Sequence, residues 1–248
     1  MDLGISGRTA AVAAATAGLG FASAKALVDA GVRVAVCGRT ADRVNAAVAA
    51  LGDNAIGVEC DVSTADGATM FVEMARDRLG HIDVLVANGG GPKPGNFASL
   101  SVDDYLPALQ QSLLSVVAMC EASVPAMRER KWGRVVAITS LSARQPVANL
   151  ILSNTARAGV TGFLKTLARE VAGDGVTVNS VQPGIHATDR ITQLYGSTPD
   201  AQQLGIPTGE VGDPADFGRV VAFLCSESAR YITGTHLPVD GGSYAGLQ

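Results

Sequence analysis

Residues 9–20 read TAAVAAATAGLG, and this stretch decides the fold. Its first part, from Thr9, is a short apolar run without polar alternation, which is typical of a strand covered on both faces. Its second part, from Ala14 to Gly20, contains two glycines and opens a helical pattern. A glycine-rich turn between a strand and a helix lets backbone N–H groups approach a pyrophosphate. A tight connection without a ligand would explain the same turn, so the motif alone leaves both interpretations open.

The rest of the chain repeats this alternation of short apolar runs and longer amphipathic stretches. Further strands are predicted at 32–36, 55–59, 82–87, 133–139, 176–181 and 235–239. Helices are predicted at 19–30, 41–51, 64–79, 102–130, 153–172 and, behind the N-cap Asp213 and Pro214, up to Ser226. This order predicts an α/β fold of the doubly wound Rossmann type, with a parallel sheet of about seven strands and helices on both faces. We expect one dinucleotide-binding domain over residues 1–248.

Composition excludes several other classes of protein. The 248 residues include 19 Lys+Arg and 23 Asp+Glu, which gives a net charge of −4, and 47% of them are hydrophobic. This apolar content is too high for a disordered chain, and the mild acidity offers no basic patch, so we expect neither nucleic acid nor a membrane as partner. We also expect no secretory signal, no metal site and a cytoplasmic protein with reduced thiols, because no leader is visible and the cysteines lack disulfide or zinc spacing. These cysteines are Cys37, Cys60, Cys120 and Cys225.

Two irregular segments, 89–100 and 185–211, follow predicted strands. Sheets of this type bind ligands in the crevice beyond the carboxyl ends of their strands, so both segments should line it. The second segment is long and rich in turn residues. We therefore predict that residues 185–211 form a mobile substrate lid.

The end of the second predicted strand bears on the choice of nucleotide. Residues 36–40 read VCGRT, without the acidic residue that would bind a ribose 2′-hydroxyl. Arg39 instead suits a 2′-phosphate, which favours NADP(H) over NAD(H). A solvated surface charge is the alternative interpretation of Arg39.

The ordered motifs resemble those of the short-chain dehydrogenase/reductase family, particularly its β-ketoacyl-ACP reductase-like branch, over nearly the whole chain. Asp61-Val62 resembles the family's pair beside the adenine, and residues 87–90, ANGG, stand where members carry Asn-Asn-Ala-Gly. Residues 183–188 match the stretch beside the nicotinamide, and residues 212–242 match the C-terminal pattern. The cofactor-binding residues that the resemblance implies are Ala14, Thr16, Ala17, Gly18, Leu19, Gly20, Arg39, Asp61, Val62, Asn88, Gly89, Gly90, Arg157, Pro183, Gly184 and Thr188.

The cofactor turn departs from the family pattern, Thr-Gly-x-x-x-Gly-x-Gly, at its first two positions. These positions hold Ala13 and Ala14. A methyl group at Ala14 would strain a positive φ or crowd the phosphate. Because alanine is the smallest possible intrusion, we expect cofactor binding to be weakened and not lost.

The catalytic positions depart further. The family's Asn, Ser, Tyr and Lys fall on Ser112, Ser140, Ser153 and Arg157, so only Ser140 is retained. The i, i+4 spacing keeps Ser153 and Arg157 on one helix face. A serine hydroxyl is a far weaker acid than a tyrosine, whose reference pKa is about 10, and an arginine stays charged and cannot relay a proton. Arg157 can still donate hydrogen bonds to ribose hydroxyls, a phosphate or a carbonyl.

Other polar residues offer alternatives for acid–base or binding roles. His186 and Tyr195 lie in the lid, where a surface histidine and a packing tyrosine are the simpler interpretations. Arg144 suits either an anionic substrate or solvent. His81 and His236 are expected to be structural.

Three functions are compatible with these residues. The first is an NADP(H)-dependent, 3-oxoacyl-reductase-like oxidoreductase that acts on a small carbonyl or alcohol substrate. In it Ser140 polarises the carbonyl and Arg157 holds the ribose or the substrate. Either Ser153, or His186 through a water molecule, completes a proton relay. The second is a non-redox enzyme in which Arg157 stabilises an oxyanion. The third is a catalytically silent nucleotide-binding or regulatory protein. The resemblance also implies a homodimer or homotetramer.

Overall fold

The computed structural model describes residues 2–197 and 199–247, and its centre is one parallel β-sheet. The strands are β1 (Thr9–Val12), β2 (Arg33–Gly38), β3 (Ala55–Glu59), β4 (Val84–Ala87), β5 (Gly133–Ile138), β6 (Val176–Pro183) and β7 (His236–Val239). They lie in the order β3-β2-β1-β4-β5-β6-β7, and every neighbouring pair is parallel. This confirms the predicted doubly wound sheet. The strand order reverses between β1 and β4, which is where such sheets open a ligand crevice.

Helices cover both faces of the sheet. They are α1 (Gly18–Asp29), α2 (Ala41–Leu51), α3 (Ala65–Leu79), α4 (Tyr105–Leu109), α5 (Ser115–Glu129), α6 (Ile151–Val171), α7 (Asp189–Tyr195) and α8 (Pro214–Leu224). Helices α1 and α8 pack together over one apolar core, and α3, α5 and α6 enclose the other. The predicted N-cap of α8 is confirmed, because the Asp213 carboxylate accepts a 2.8 Å hydrogen bond from the Ala215 N–H.

The central strands explain why the sequence lacks polar alternation. Every residue of β5 is buried, and successive side chains enter opposite cores. Val135 and Ala137 belong to the core under α3, α5 and α6, whereas Val136 and Ile138 belong to the core under α1 and α8. A strand with two covered faces has no solvent-facing positions for polar residues.

The predicted continuous helix over residues 102–130 is wrong in its first half. Residues Val102–Asp104 form a 3₁₀ turn, α4 follows, and Gln110–Leu114 form a π-helical turn before α5 begins. The wider π turn is stabilised locally, because the Ser115 hydroxyl donates a 2.7 Å hydrogen bond to the Gln111 carbonyl. Single π turns inside α-helices often mark functional sites.

The predicted irregular segment 185–211 contains a helix, α7. Thr188 is its extended N-cap residue, Asp189 places a carboxylate in its first turn, and Gly196 ends it in the left-handed region with φ +79°. These are ordinary start and stop signals, so the sequence carried the information for this helix. Thr198, within the predicted lid, lies outside the described residues.

Two general features of the described ranges bear on function. Over residues 2–197 and 199–247, no helix has the length and apolar character needed to cross a bilayer. The same ranges contain no convergence of three His, Cys, Asp or Glu side chains around a possible metal position. The four cysteines are free and buried, and burial raises the thiol pKa of Cys37, Cys120 and Cys225 to about 12. Such thiols are protonated and unreactive at neutral pH.

Candidate active site

The turn between β1 and α1 forms the base of the crevice. Gly18 adopts φ +59° at the first residue of α1, and Ala17 is an extended N-cap residue whose methyl side chain makes no capping bond. The first N–H groups of α1 therefore lack a side-chain acceptor. A helix start of this kind suits a phosphate group, because free N–H donors and the positive end of the helix dipole coincide there.

Ala14 has the positive φ that the sequence analysis expected, at +47°. Its N–H donates to the Cys37 sulfur at 3.2 Å. The Asn88 side chain, which follows β4, donates to the carbonyls of Ala13 and Ala14 at 3.2 and 3.1 Å. The turn is thus fixed from two neighbouring strands, β2 and β4. A non-glycine residue in this region costs on the order of 1–3 kcal/mol, which these bonds offset.

Close approach explains the glycine at position 20. A Cβ placed on Gly20 would lie 2.6 Å from the Asn88 Nδ2 and 2.7 Å from the Ala14 carbonyl oxygen. Any larger residue would displace Asn88 from the turn. The side chain of Leu19, in contrast, is half-buried against the core under α1.

The predicted adenosine-binding residues lie together at the ends of β2 and β3. A Cβ on Gly38 would lie 2.5 Å from the Thr16 Cγ2, so the end of β2 touches the cofactor turn. Arg39 follows with an exposed side chain. The Cys60 N–H donates to the Gly38 carbonyl at 2.8 Å, which brings the next residues, Asp61 and Val62, to the same edge.

The opposite wall is formed by the segments after β4 and β6. A Cβ on Gly89 would lie 3.7 Å from the Gln111 carbonyl oxygen, and one on Gly90 would lie 2.9 Å from the Gln111 Nε2. After β6, the Gly184 N–H donates to the Val239 carbonyl at 3.0 Å. Thr188 reaches the cofactor turn, because its Cγ2 lies 3.7 Å from the Cβ position of Gly18.

Three serines form a hydroxyl cluster at the carboxyl end of β5. The Ser140 Oγ accepts a 3.1 Å bond from the Ser142 N–H, and the Ser142 Oγ lies 3.4 Å from the Ser153 Oγ. Ser142 was not among the predicted site residues. Its only signal was a second serine two residues beyond Ser140, and the 3₁₀ turn at Leu141–Ala143 is what directs it to α6.

Arg157 is a buried cation on α6, one turn beyond Ser153. Its residue is 5% exposed, and its Nη1 donates to the Ile138 carbonyl at 3.3 Å. No carboxylate of the described ranges lies within 4.0 Å of this guanidinium. Burial, assisted by the charge of Arg190, lowers the pKa of Arg157 to about 10, so the side chain stays protonated at neutral pH.

Ser112, on the π turn, is 1% exposed, and its hydroxyl has no hydrogen-bond partner in the described part of the chain. The same turn packs against α6, with the Leu113 Cδ2 3.3 Å from the Cβ position of Gly159. An unpaired buried hydroxyl costs on the order of 1–3 kcal/mol. A ligand that accepts from or donates to Ser112 would remove that cost.

Two expectations about the lid are wrong. His186 is 4% exposed and not a surface residue: its ring packs edge-on against Phe217 at 5.1 Å, and its Nδ1 lies 3.4 Å from the Gly184 carbonyl. Burial lowers its pKa, which favours the neutral ring. Tyr195 is 49% exposed, so it does not pack as expected. Both errors arise because α7 and α8, not the polar composition of the segment, decide which side chains are covered.

The remaining candidates lie in separate contacts. His81 is 3.2 Å from the Asp83 carboxylate, and His236 shares a 2.8 Å hydrogen bond with the Ser180 hydroxyl. The Arg144 guanidinium lies over the Tyr244 ring at 5.8 Å. Arg190 was not among the predicted site residues, but its Nη2 lies 2.6 Å from the Cβ position of Gly91, beside the crevice. Its placement depends on α7, which was not predicted.

Comparisons with known proteins agree with this geometry. A family model described as enoyl-(acyl carrier protein) reductase matches residues 13–244. The 3-oxoacyl-[acyl-carrier-protein] reductase of Vibrio cholerae is 32% identical, covering 98% of this chain and 99% of the relative. That of Haemophilus influenzae is 34% identical, covering 96% and 98%.

Solved structures are also similar. An NADPH-bound short chain oxidoreductase from Pseudomonas aeruginosa PAO1, which contains an atypical catalytic center, has a TM-score of 0.91 at 30% identity, with coverage of 98% of this chain and 99% of that one. The L-sorbose reductase of Gluconobacter frateurii, complexed with NADPH and L-sorbose, has a TM-score of 0.90 at 28% identity over the full length of both chains.

Fold, crevice and relatives define an NAD(P)-dependent oxidoreductase on a dinucleotide-binding sheet. The chain belongs to the short-chain dehydrogenase/reductase family and resembles the 3-oxoacyl-[acyl-carrier-protein] reductases within it. This confirms the family that the motifs of the sequence indicated.

Proposed function

We propose that this protein is an NADP(H)-dependent oxidoreductase that interconverts a small carbonyl compound and its alcohol. The observation that carries the proposal is the hydroxyl cluster around the retained Ser140, which lies beside a crevice fit for a dinucleotide. The uncapped start of α1 and the fixed turn at Ala14 fit phosphate groups, and Arg157 offers donors to a ribose or a substrate oxygen. NADP(H), when bound, supplies or accepts the hydride.

The preference for NADP(H) rests on the end of β2. Arg39 follows Gly38, which touches Thr16 of the cofactor turn, and no acidic residue occupies the position that would bind a 2′-hydroxyl. A guanidinium fits a phosphate through two parallel hydrogen bonds. The NADPH found in complexes of the similar structures from Pseudomonas and Gluconobacter supports the same preference.

Residues of the chain itself polarise the substrate carbonyl and bind the ligands. The Ser140 hydroxyl donates to the substrate carbonyl oxygen, and Arg157 donates to a ribose hydroxyl or to the substrate. Ser142 holds the cluster together, because its N–H donates to the Ser140 Oγ and its hydroxyl contacts the Ser153 hydroxyl. The backbone N–H relays no proton, so the proton reaches the substrate oxygen from solvent. Within the described ranges no imidazole or carboxylate bonds to Ser140, Ser142 or Ser153, and a missing positioned acid costs about 10²- to 10⁴-fold in rate. We therefore expect slow turnover.

Assembly and the lid belong to the same proposal. Ala158 and Gly159 on α6 are exposed, and nothing lies within 4 Å of the Cβ position of Gly162. Small residues let a second helix approach closely, which supports a homodimer or homotetramer. The cytoplasm is the proposed location. Light scattering measures the oligomeric state.

Residues 185–211, with α7 inside them, would cover the substrate as a lid.

The experiment is a titration with NADPH and NADH followed by turnover assays. Binding is measured by the change in nicotinamide fluorescence, and 3-oxoacyl thioesters, ketones and oxo acids are then offered as substrates. We expect tighter binding of NADPH and slow oxidation of it by at least one carbonyl compound. Absence of binding at millimolar cofactor would refute the proposal.

A catalytically silent nucleotide-binding protein is the second candidate. The Ser153 hydroxyl contacts another hydroxyl and no imidazole or carboxylate of the described chain, which favours this alternative. If NADPH binds, no carbonyl compound is reduced and the double variant Ser153→Tyr, Arg157→Lys gains activity, the silent function is correct. Product formation without a change in nicotinamide absorbance would instead identify a non-redox enzyme.

A further inference from the structure

The charge of Arg157 is left uncompensated by the described protein, and a second buried arginine shows that this is unusual for the chain. Arg134 has its guanidinium 3.7 Å from the Glu227 carboxylate and 4.3 Å from the Trp132 ring centroid. It also donates to carbonyls, among them that of Gly133 at 2.9 Å. Arg157 has one carbonyl bond, at 3.3 Å, and no carboxylate within 4.0 Å among the described residues.

An uncompensated buried guanidinium is costly, because burial removes water without supplying an acceptor. Most of its five donors are available to a ligand. The chain carries 23 Asp and Glu residues, so acidic partners are not scarce. Their absence from Arg157 points to an anion that comes from outside the protein.

A second guanidinium faces the same space. Arg190 extends from the first turn of α7 to the segment after β4, where its Nη2 lies 2.6 Å from the Cβ position of Gly91. A side chain at position 91 would meet this guanidinium and shift it. Arg190 is exposed, has no carboxylate within 4.0 Å in the described ranges, and its charge helps burial to lower the pKa of Arg157. An exposed cation beside the segment after β4 thus accompanies the buried cation on α6.

The hydroxyl cluster near Arg157 indicates that the bound anion also carries the reacting carbonyl group. Arg157 binds the carbonyl of Ile138, two residues before Ser140, and lies one helical turn beyond Ser153. A group held by Arg157 therefore lies near the end of β5 that carries Ser140, which favours a short chain between the anionic group and the reacting carbonyl. A planar guanidinium matches a carboxylate through two parallel bonds.

We propose that the substrate is a short oxo acid, or the corresponding hydroxy acid, whose carboxylate binds Arg157 and Arg190 while its carbonyl oxygen lies at Ser140. The proposal rests on the oxidoreductase function proposed above. In the reductive direction the carbonyl carbon gains a hydride from NADPH and forms a C–H bond, the C=O π bond breaks, the oxygen takes a proton from solvent, and NADPH is oxidised to NADP⁺.

The first test compares 2-oxo and 3-oxo acids with their methyl esters, which keep the carbonyl and remove the charge. We expect the acids to have a kcat/KM about 10- to 100-fold higher, as for loss of a charge-assisted hydrogen bond. Arg190→Gln should lower the acid-to-ester ratio of kcat/KM toward one, mainly by raising KM for the acid, without raising the Kd for NADPH. Arg190→Lys should restore part of the ratio. Arg169→Gln, an exposed arginine on α6, is the matched control.

The second test measures binding without turnover. Malonate titrated into the wild-type protein by calorimetry should bind, and Arg190→Gln should weaken it about tenfold or more. If malonate binds in this way but no carbonyl compound is reduced, the anion site is correct and the oxidoreductase function fails. If acids and esters react equally, or if Arg190→Gln weakens NADPH and not malonate, the arginines serve the cofactor and the proposal is overturned.

Discussion

At the scale of single residues, the backbone conformation of Ala14 could be predicted from the sequence. The position was predicted to need a positive φ, and it has one, because the turn that carries it is dictated by local glycine spacing. His186 was misjudged for the opposite reason. Its burial depends on Phe217 and Gly212, which reach it only after the chain has folded. Local geometry can be predicted from neighbours in sequence, whereas burial of a loop residue cannot.

Replacing Ala14 by glycine should strengthen cofactor binding. The change removes the φ strain and the methyl group beside the phosphate position, and we expect the Kd for NADPH to fall about 2- to 10-fold. The unfolding free energy should change by less than about 1 kcal/mol, because glycine also adds entropy to the unfolded chain. Fluorescence titration measures the Kd. Ala17→Gly is the control, since Ala17 has an extended φ of −162°; equal gains in both variants would contradict the strain argument.

Replacing Arg39 by alanine should change cofactor preference. Loss of a guanidinium–phosphate contact should raise the Kd for NADPH about 10- to 100-fold and leave NADH almost unaffected. Parallel titrations with the two nucleotides check this. Arg33→Ala removes an exposed arginine from the other end of β2 and should affect neither. If both nucleotides weaken equally on Arg39→Ala, Arg39 does not bind the 2′-phosphate.

At the scale of elements, the strands were easier to predict than the helices around the crevice. Apolar runs bounded by turns located every strand to within a few residues, since burial on both faces leaves few other interpretations. The segment 102–130 kept its helical periodicity but not its continuity, because one extra residue in the π turn at Gln110–Leu114 does not alter the apolar pattern enough to be seen. The position of Arg190 was missed together with α7.

The π turn offers a matched pair of serines. Ser112 and Ser115 are both buried, but the Ser115 hydroxyl donates to the Gln111 carbonyl and the Ser112 hydroxyl has no described partner. Without cofactor, Ser112→Ala should leave the unfolding free energy unchanged or raise it by up to about 1 kcal/mol, whereas Ser115→Ala should lower it by about 1 kcal/mol. Urea unfolding measures both. Equal destabilisation would show that Ser112 is hydrogen-bonded in the folded protein.

At the scale of the whole molecule, the fold around the seven-stranded sheet could be predicted from the sequence, but the chemistry of the site could not. Strand order and the two cores follow from the alternation of patterns along the chain, so they could be predicted without any knowledge of the ligand. The chemistry could not, because the hydroxyl cluster depends on a turn of three residues and the arginine pair depends on a short helix far along the chain. Family resemblance located the crevice, and the departures at Ser112, Ser153 and Arg157 left its reaction to be inferred from contacts.

The whole molecule should lose stability in mild acid, partly through His236. Burial, assisted by Arg144 and Lys165, lowers the pKa of this imidazole from 6.5 to about 4. The folded state therefore binds its proton more weakly than the unfolded state, and the stability it contributes is complete above pH 6.5 and is lost as the pH falls toward 4. We expect a loss of about 1–3 kcal/mol from this group between pH 7 and pH 4.

Urea unfolding of the His236→Gln variant tests this expectation. The variant should be less stable than the wild type at pH 7, because it loses the bond to the Ser180 hydroxyl, but its stability should depend less on pH below 6.5. An unchanged slope in His236→Gln would show that other groups cause the acid sensitivity.

Asn88 begins a segment whose far end meets the second arginine. Its amide fixes the carbonyls of Ala13 and Ala14, and three residues later Gly91 lies against Arg190. A nucleotide that binds to the turn therefore also orders the segment from Asn88 to Gly91, which contacts Arg190. The consequence is kinetic: the two ligands should bind in compulsory order, nucleotide first. In steady-state product inhibition, NADP⁺ should then compete with NADPH, while the alcohol product should be noncompetitive toward NADPH.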